Sequence, residues 1–266
     1  MKNFILFRNK RIYYKVEGRG NAIVLLHGFM ETMEIWNDIS IKLSEKYQVI
    51  TIDLPGHGKS ENIDSVHSMQ LMAEAVHAVL HELHVFSCIM IGHSMGGYVT
   101  LAFADLFKSY LKGFGLFHSH PLEDSDEVKN NRNKVIEAVN QDHKTFVAGF
   151  FPSLFAKENI DKYSKEIKKI EMLALKMSKE SIVAAVAGMR DRTDKTQTLI
   201  HAEVPFFAIL GKEDFRIPLN SMLPNFILAK KNCLYVLDHV GHMGFIEAKK
   251  DTINIIFGFA NICFCE

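Results

Sequence analysis

Gly92-His93-Ser94-Met95-Gly96 closes a short apolar run, Phe86 to Ile91, and opens a stretch of helical character, Gly96 to Phe107. The pattern G-x-S-x-G between a strand and a helix is the sharp turn that lifts a serine hydroxyl clear of a sheet. Glycines are required there because the turn is strained and because strand and helix backbones must approach closely. Outward from this turn the chain repeats one rhythm. Uniformly apolar runs occur at Ala22 to Leu26, Gln48 to Ile52, Gly113 to Phe117, Phe206 to Leu210 and Leu234 to Leu237. Runs this short and this apolar suit strands covered on both faces, as in parallel sheets. Phe4 to Arg8 and Arg11 to Val16, separated by Asn9-Lys10, read as a hairpin. Between the runs lie helical patterns. Met69 to Leu83 carries apolar residues at 72, 76, 79, 80 and 83, and Leu219 to Ala229 is a further candidate. Strand and helix alternating this often predict an α/β fold with a largely parallel sheet.

One segment breaks the rhythm. From Pro121 to about Ile200 there is no convincing strand, and Asp124 to Gln141, Ile160 to Met177 and Lys179 to Met189 are charged and helical in character. This predicts a core of residues 1–120 and 201–266 with a helical cap at 121–200. Its charged helices have too few apolar positions for a core of their own, so the patch at Phe146, Phe150, Phe151, Leu154 and Phe155 is expected to face inward. Phe146, Phe150 and Phe151 are therefore candidates for a pocket lining, against the alternative of packing within the cap.

A serine needs a base, and the base needs an orienting group. In this strand–turn–helix arrangement the chain order is serine, acid, histidine. Gly211-Lys212-Glu213-Asp214 follows one apolar run and offers Asp214, with Glu213 as the rival acid. Gly241-His242-Met243-Gly244 follows the next and offers His242, with His239 as the rival base. His27-Gly28-Phe29 ends the first buried run, where the Phe29 N–H can join the Met95 N–H in binding an oxyanion. His118 and His120 follow Gly113 to Phe117 and are further candidates for the pocket border. Arg190 and Arg192 end the insertion and are read as anchors of the cap, with carboxylate binding as the other role. His77, His81 and His84 have metal-compatible helical spacing but flank an apolar stripe, so a solvated helix edge is expected.

Taken together, His27-Gly28-Phe29, Asp53-Leu54-Pro55-Gly56-His57-Gly58-Lys59-Ser60, Gly92 to Gly97, Gly211 to Asp214 and Gly241-His242 resemble the α/β-hydrolase superfamily. The resemblance runs from residue 4 to about 260 with every part in order. It implies a mostly parallel eight-stranded sheet with helices on both faces, a helical cap over the active site, and a triad of Ser94, Asp214 and His242. The Asp53 to Ser60 loop is structural in such proteins. Serine at the nucleophile position argues against dehalogenases and epoxide hydrolases that use aspartate there.

Three functions follow. The first is a serine hydrolase of a small carboxylic ester or thioester, needing no metal or organic cofactor. The second is a carbon–carbon hydrolase or lyase-type relative, similar to those of meta-cleavage or menaquinone pathways, for which Arg190, Arg192 and Arg216 are the cations to consider. The third is a ligand-binding protein that keeps the triad. Lys plus Arg and Asp plus Glu both number 31 in 266 residues, so the basic excess of a nucleic-acid binder is missing. No stretch of 18 apolar residues and no signal-like N-terminus is present. Cys88 and Cys233 read as buried small hydrophobes, and Cys263 with Cys265 makes no metal clip alone. A cytoplasmic setting is expected, with a small molecule as the partner and neither nucleic acid nor membrane.

Overall fold

The computed structural model describes residues 2–227 and 232–264. Eight strands form one sheet: β1 (Lys2–Phe7), β2 (Lys10–Glu17), β3 (Ala22–Leu26), β4 (Gln48–Ile52), β5 (Cys88–His93), β6 (Leu111–Phe117), β7 (Phe206–Gly211) and β8 (Asn232–Leu237). Their order is β1-β2-β4-β3-β5-β6-β7-β8. β1 and β2 run antiparallel to each other and β2 antiparallel to β4; the remaining pairs are parallel. The helices are α1 (Asn37–Leu43), α2 (Met69–Glu82), α3 (Met95–Leu106), α4 (Asp126–Phe150), α5 (Ser164–Ala174), α6 (Lys179–Arg190), α7 (Thr196–Ile200), α8 (Leu219–Ile227), α9 (Gly244–Glu247) and α10 (Lys249–Phe264). None is long and apolar enough to cross a membrane among the described residues.

The central strands are apolar throughout because both faces are covered. β3 and β5 are buried at every position. α2 and α3 pack together and against one side. From the other side, Phe259 of α10 lies 4.7 Å from Phe207 of β7 by ring centroid. Of the apolar stripe on α2, residues 72, 76, 79 and 80 are fully buried. The strand order reverses at β3, which has β4 on one side and β5 on the other. Ligands of open parallel sheets sit at the carboxyl edge beside such a reversal. The loops bearing Phe29 and Ser94 leave the sheet there.

Several boundaries differ from the sequence reading. The hairpin turn is Arg8-Asn9, one residue earlier than expected, with φ of 50° and 62°. Positive φ at both central residues is the two-residue turn that matches strand twist, and asparagine tolerates it. β5 starts at Cys88, leaving Phe86 exposed before it. α4 continues past Gln141 to Phe150, across a break at Asp142 (φ −153°, ψ 88°). The Asp142 carboxylate accepts the Lys144 and Thr145 N–H groups and so restarts the helix as an N-cap would. The helix expected from Ile160 forms only over α5. The tail of the Leu219 to Ala229 helix beyond Ile227, and Cys265, lie outside the described residues. Cys88 is sealed in the sheet, and burial pushes its thiol up to about 12; Cys233 is only partly buried.

α4 to α7 all lie between β6 and β7. β6 is parallel to β5 and β7, so this helical insertion leaves from the carboxyl edge and acts as a cap. α4 packs on α6, and Arg190 joins Asn133 of α4 to Asp191. Arg192 is buried against Asp124 (2.6 Å) and stacks 4.1 Å above the Tyr98 ring of α3, tying the insertion to the sheet layer.

Candidate active site

Ser94 stands between β5 and α3 with φ 49° and ψ −114°. Such a backbone is costly for a residue with a side chain and persists only when its surroundings enforce it. Here the Ser94 N–H donates to Phe117 O, and the Ser119 hydroxyl donates to Ser94 O. A Cβ on Gly92 would lie 2.1 Å from Gly96 O, and one on Gly96 would lie 2.6 Å from Leu26 O. Neither position admits a side chain.

His242, in the loop after β8, holds its Nδ1 2.8 Å from Asp214 Oδ2. Asp214 follows β7 and is fully engaged. Its Oδ2 also lies 3.0 Å from His118 Nδ1, and its Oδ1 accepts the Arg216 and Ile217 N–H groups. Burial raises the pKa of a carboxyl, but the two imidazoles and their hydrogen bonds outweigh it and hold Asp214 far below the carboxylate range. The rivals are elsewhere. Glu213 is exposed, and His239 is exposed beside Glu158.

Ser94 and His242 line one cavity of about 250 Å³, together with Phe29, Glu31, His93, Tyr98, Arg132, Phe146, Phe150 and Arg216. No hydrogen bond joins the Ser94 hydroxyl to His242 among the described residues. Such contacts commonly tighten only when substrate is bound. Phe29 packs edge-on against Phe150, 5.7 Å away. Met95 is the first residue of α3, so its N–H has no intrahelical partner. The Phe29 N–H finds no acceptor among the described residues, whereas the Gly28 N–H is taken by Glu31 Oε2 at 2.6 Å.

The expected pocket residues divide. Phe146 and Phe150 line the cavity. Phe151 is fully buried, stacked edge-on to Phe150. His118 lies behind Asp214, away from the cavity wall. His120 lines a smaller neighbouring pocket and contacts the Tyr98 hydroxyl at 3.2 Å. Burial pushes His120 down to about 3, with Arg192 and Arg132 adding to the effect. His77 stacks on Phe107 at 4.0 Å and meets the Tyr110 hydroxyl, so that helix edge is packed at His77. Asp53 is a hub of its loop, accepting the Met33 and Lys59 N–H groups.

A buried pair escaped the sequence reading. Glu31 Oε2 lies 2.9 Å from His93 Nδ1, and His93 Nε2 donates to His242 O at 2.9 Å. Burial alone would neutralise both groups. Their mutual attraction and hydrogen bonds outweigh it, raising His93 and lowering Glu31. The pair joins the loop after β3, the serine turn and the histidine loop. Its only sequence signal was the histidine inside G-H-S-M-G. The ligand atoms of His118, Asp214 and His242 lie within 4.8 Å of one another and form a metal-compatible group. A metal there would have to replace both hydrogen bonds to Asp214.

Residues 21–249 match the family described as the alpha/beta hydrolase fold. Over 94 residues the chain is 34% identical to an uncharacterized protein of Mycobacterium tuberculosis, a stretch that is 35% of this chain and 28% of that one. The chain thus spans little more than a quarter of the first curated relatives it matches. It is 26% identical over 223 residues to the karrikin insensitive 2 receptor CA of Petunia hybrida, covering 77% of this chain and 78% of the receptor. Among solved structures it is similar to a thermophilic esterase from Thermogutta terrifontis in its malate-bound form. The TM-score is 0.93 at 26% identity, over 99% of both chains. With the match spanning most of its length, and with the sheet and serine turn described above, the chain belongs to the alpha/beta hydrolase fold family.

Proposed function

We propose that the protein is a serine hydrolase of small carboxylic esters or thioesters. The observation that carries this reading is the shared cavity: Ser94, on its strained turn, and His242, oriented by Asp214, line the same space. Ser94 attacks the carbonyl. His242 donates its Nδ1–H to Asp214 and keeps Nε2 free to take the serine proton and return it to the leaving group. Asp214 fixes that tautomer and stabilises the imidazolium. The Phe29 and Met95 N–H groups receive the oxyanion. Water then releases the acid by the same steps. Residues 1–120 and 201–266 form the catalytic core and 121–200 the cap, whose Phe146 and Phe150 meet the acyl chain. The protein works in the cytoplasm on a small molecule.

Substitution Ser94→Ala tests it. Loss of the nucleophile lowers turnover of 4-nitrophenyl butyrate by about 10⁴-fold or more, while the far-ultraviolet circular dichroism stays that of the parent. Retention of a tenth of the turnover contradicts the assignment. The similarity to a receptor favours a second reading, in which the same site binds and senses a ligand. Multiple turnovers of ester per chain decide for the hydrolase.

A further inference from the structure

We infer that the cavity binds an ester bearing a second, anionic group, a carboxylate that two arginines of the cavity hold. This rests on the hydrolase reading above and names its substrate class. The acids around the cavity are each already matched. Glu31 is met by His93 and the Gly28 N–H. Asp214 receives four hydrogen bonds. Asp124 is shared by Arg132 Nε (3.0 Å) and Arg192 (2.6 Å).

The arginines keep donors to spare. Arg216 lines the cavity and forms no ion pair among the described residues. Its guanidinium lies over Phe150 and Phe215 (5.3 and 5.1 Å) and makes one long contact to Ser153 Oγ at 3.3 Å. Arg132, on α4, spends Nε on Asp124, and its two terminal nitrogens meet no acceptor among the described residues. The two guanidiniums sense one another. Desolvation by the packed rings, and then the charge of Arg132, lower the pKa of Arg216, although much of its side chain still meets solvent. Two like charges facing one cavity make it a place that favours an anion. A guanidinium fork presents paired N–H donors matched to a carboxylate.

Tyr98 supplies a third donor. His120 accepts the Leu122 N–H at Nδ1, and as a neutral imidazole it therefore carries its hydrogen on Nε2. That hydrogen goes to the Tyr98 oxygen, which leaves the phenolic hydrogen uncommitted. Tyr98 lines the same cavity. Phe146, Phe150 and Val135 provide the apolar wall between.

Two matched pairs of esters locate the charge. Mono-4-nitrophenyl glutarate against 4-nitrophenyl valerate places it on the acyl side. 4-Acetoxyphenylacetate against 4-ethylphenyl acetate, whose phenols leave equally well, places it on the leaving group. The expected result is kcat/KM at least tenfold higher for the anionic member of one pair. Arg216→Gln and Arg132→Gln each reduce that ratio at least tenfold, chiefly through KM. Arg190→Gln, outside the cavity, leaves the ratio as it was. Calorimetric titration of the protein with glutarate reads the site without turnover, and binding is expected to be lost in both arginine variants. Arginine-dependent glutarate binding without hydrolysis of any ester upholds the anion site and overturns the hydrolase reading. Efficient hydrolysis with ratios near one in both pairs, or glutarate binding unchanged in both variants, overturns the anion site and leaves the hydrolase reading standing.

Discussion

Asp214 Oδ2 is shared by His242 and His118, but only His242 reaches the cavity; His118 is fully buried behind the acid. With its Nδ1–H on Asp214, His118 points Nε2 into a sealed space against Gly244, where no acceptor exists among the described residues. Burial therefore dominates and pushes its pKa down to about 4, against the pull of Asp214. In the unfolded chain a histidine titrates near 6.5. Between roughly pH 6.5 and 4 the unfolded state takes up a proton that the folded state refuses, so stability falls as pH falls, by up to about 1.4 kcal/mol per unit for this one group. Urea midpoints at pH 7 and pH 5 test this in wild type and His118→Asn, asparagine being suited to the positive φ of 48° at this position. The variant should lose about 2 kcal/mol less than wild type over that interval. Equal losses would mean that His118 is protonated in the fold. Buried histidines remote from this site, such as His67, are common to both proteins and drop out of the difference, which reads His118 together with the groups it touches, Asp214 and the neighbouring His93. Ser94, Asp214 and His242 were legible because glycine-flanked motifs after apolar runs mark strand-end loops. Glu31, Arg132 and the His118–Asp214 contact were not. They depend on which loops the sheet order makes neighbours, and the His118–Asp214 contact spans 96 residues of sequence.

At the scale of elements, α4 shows what periodicity can and cannot report. Its first half reads as a charged helix, and only Val139 and Val147 are buried along its length. The helical character read from the sequence ends at Gln141; in the fold Asp142 acts as a cap that starts the second half. That half carries Phe146 and Phe150 over the cavity, 5.8 Å apart by ring centroid. Phe151, one residue on, turns into the core and is fully buried. A helix end can send adjacent aromatics to different places, which a patch read from sequence cannot resolve. The wall made by Phe150 should select the acyl chain by apolar fit, each buried CH₂ contributing about 0.8 kcal/mol. Phe150→Ser should therefore flatten the rise of kcat/KM from acetate to butyrate to octanoate esters several-fold while sparing acetate. An unchanged profile would assign Phe150 to packing against Phe29 and Phe151 alone.

For the whole molecule, one edge of the sheet gathers everything: the Gly28-Phe29 loop after β3, Ser94 after β5, His118 after β6, Asp214 after β7 and His242 after β8. The parallel core was legible because strands buried on both faces are uniformly apolar, and the insertion because it lacks such runs. The order of the strands was not legible: the runs carry no record of their neighbours, and the resemblance implied only a mostly parallel eight-stranded sheet. The central claim is that this edge makes Ser94 a nucleophile. A fluorophosphonate reacts covalently only with an activated serine, so intact-mass spectrometry after brief exposure tests the claim most directly. The account predicts one adduct per chain, carried by the peptide containing Ser94 and slowed by orders of magnitude in His242→Ala. No adduct on the folded protein, an adduct on another residue, or undiminished labelling of His242→Ala would contradict it.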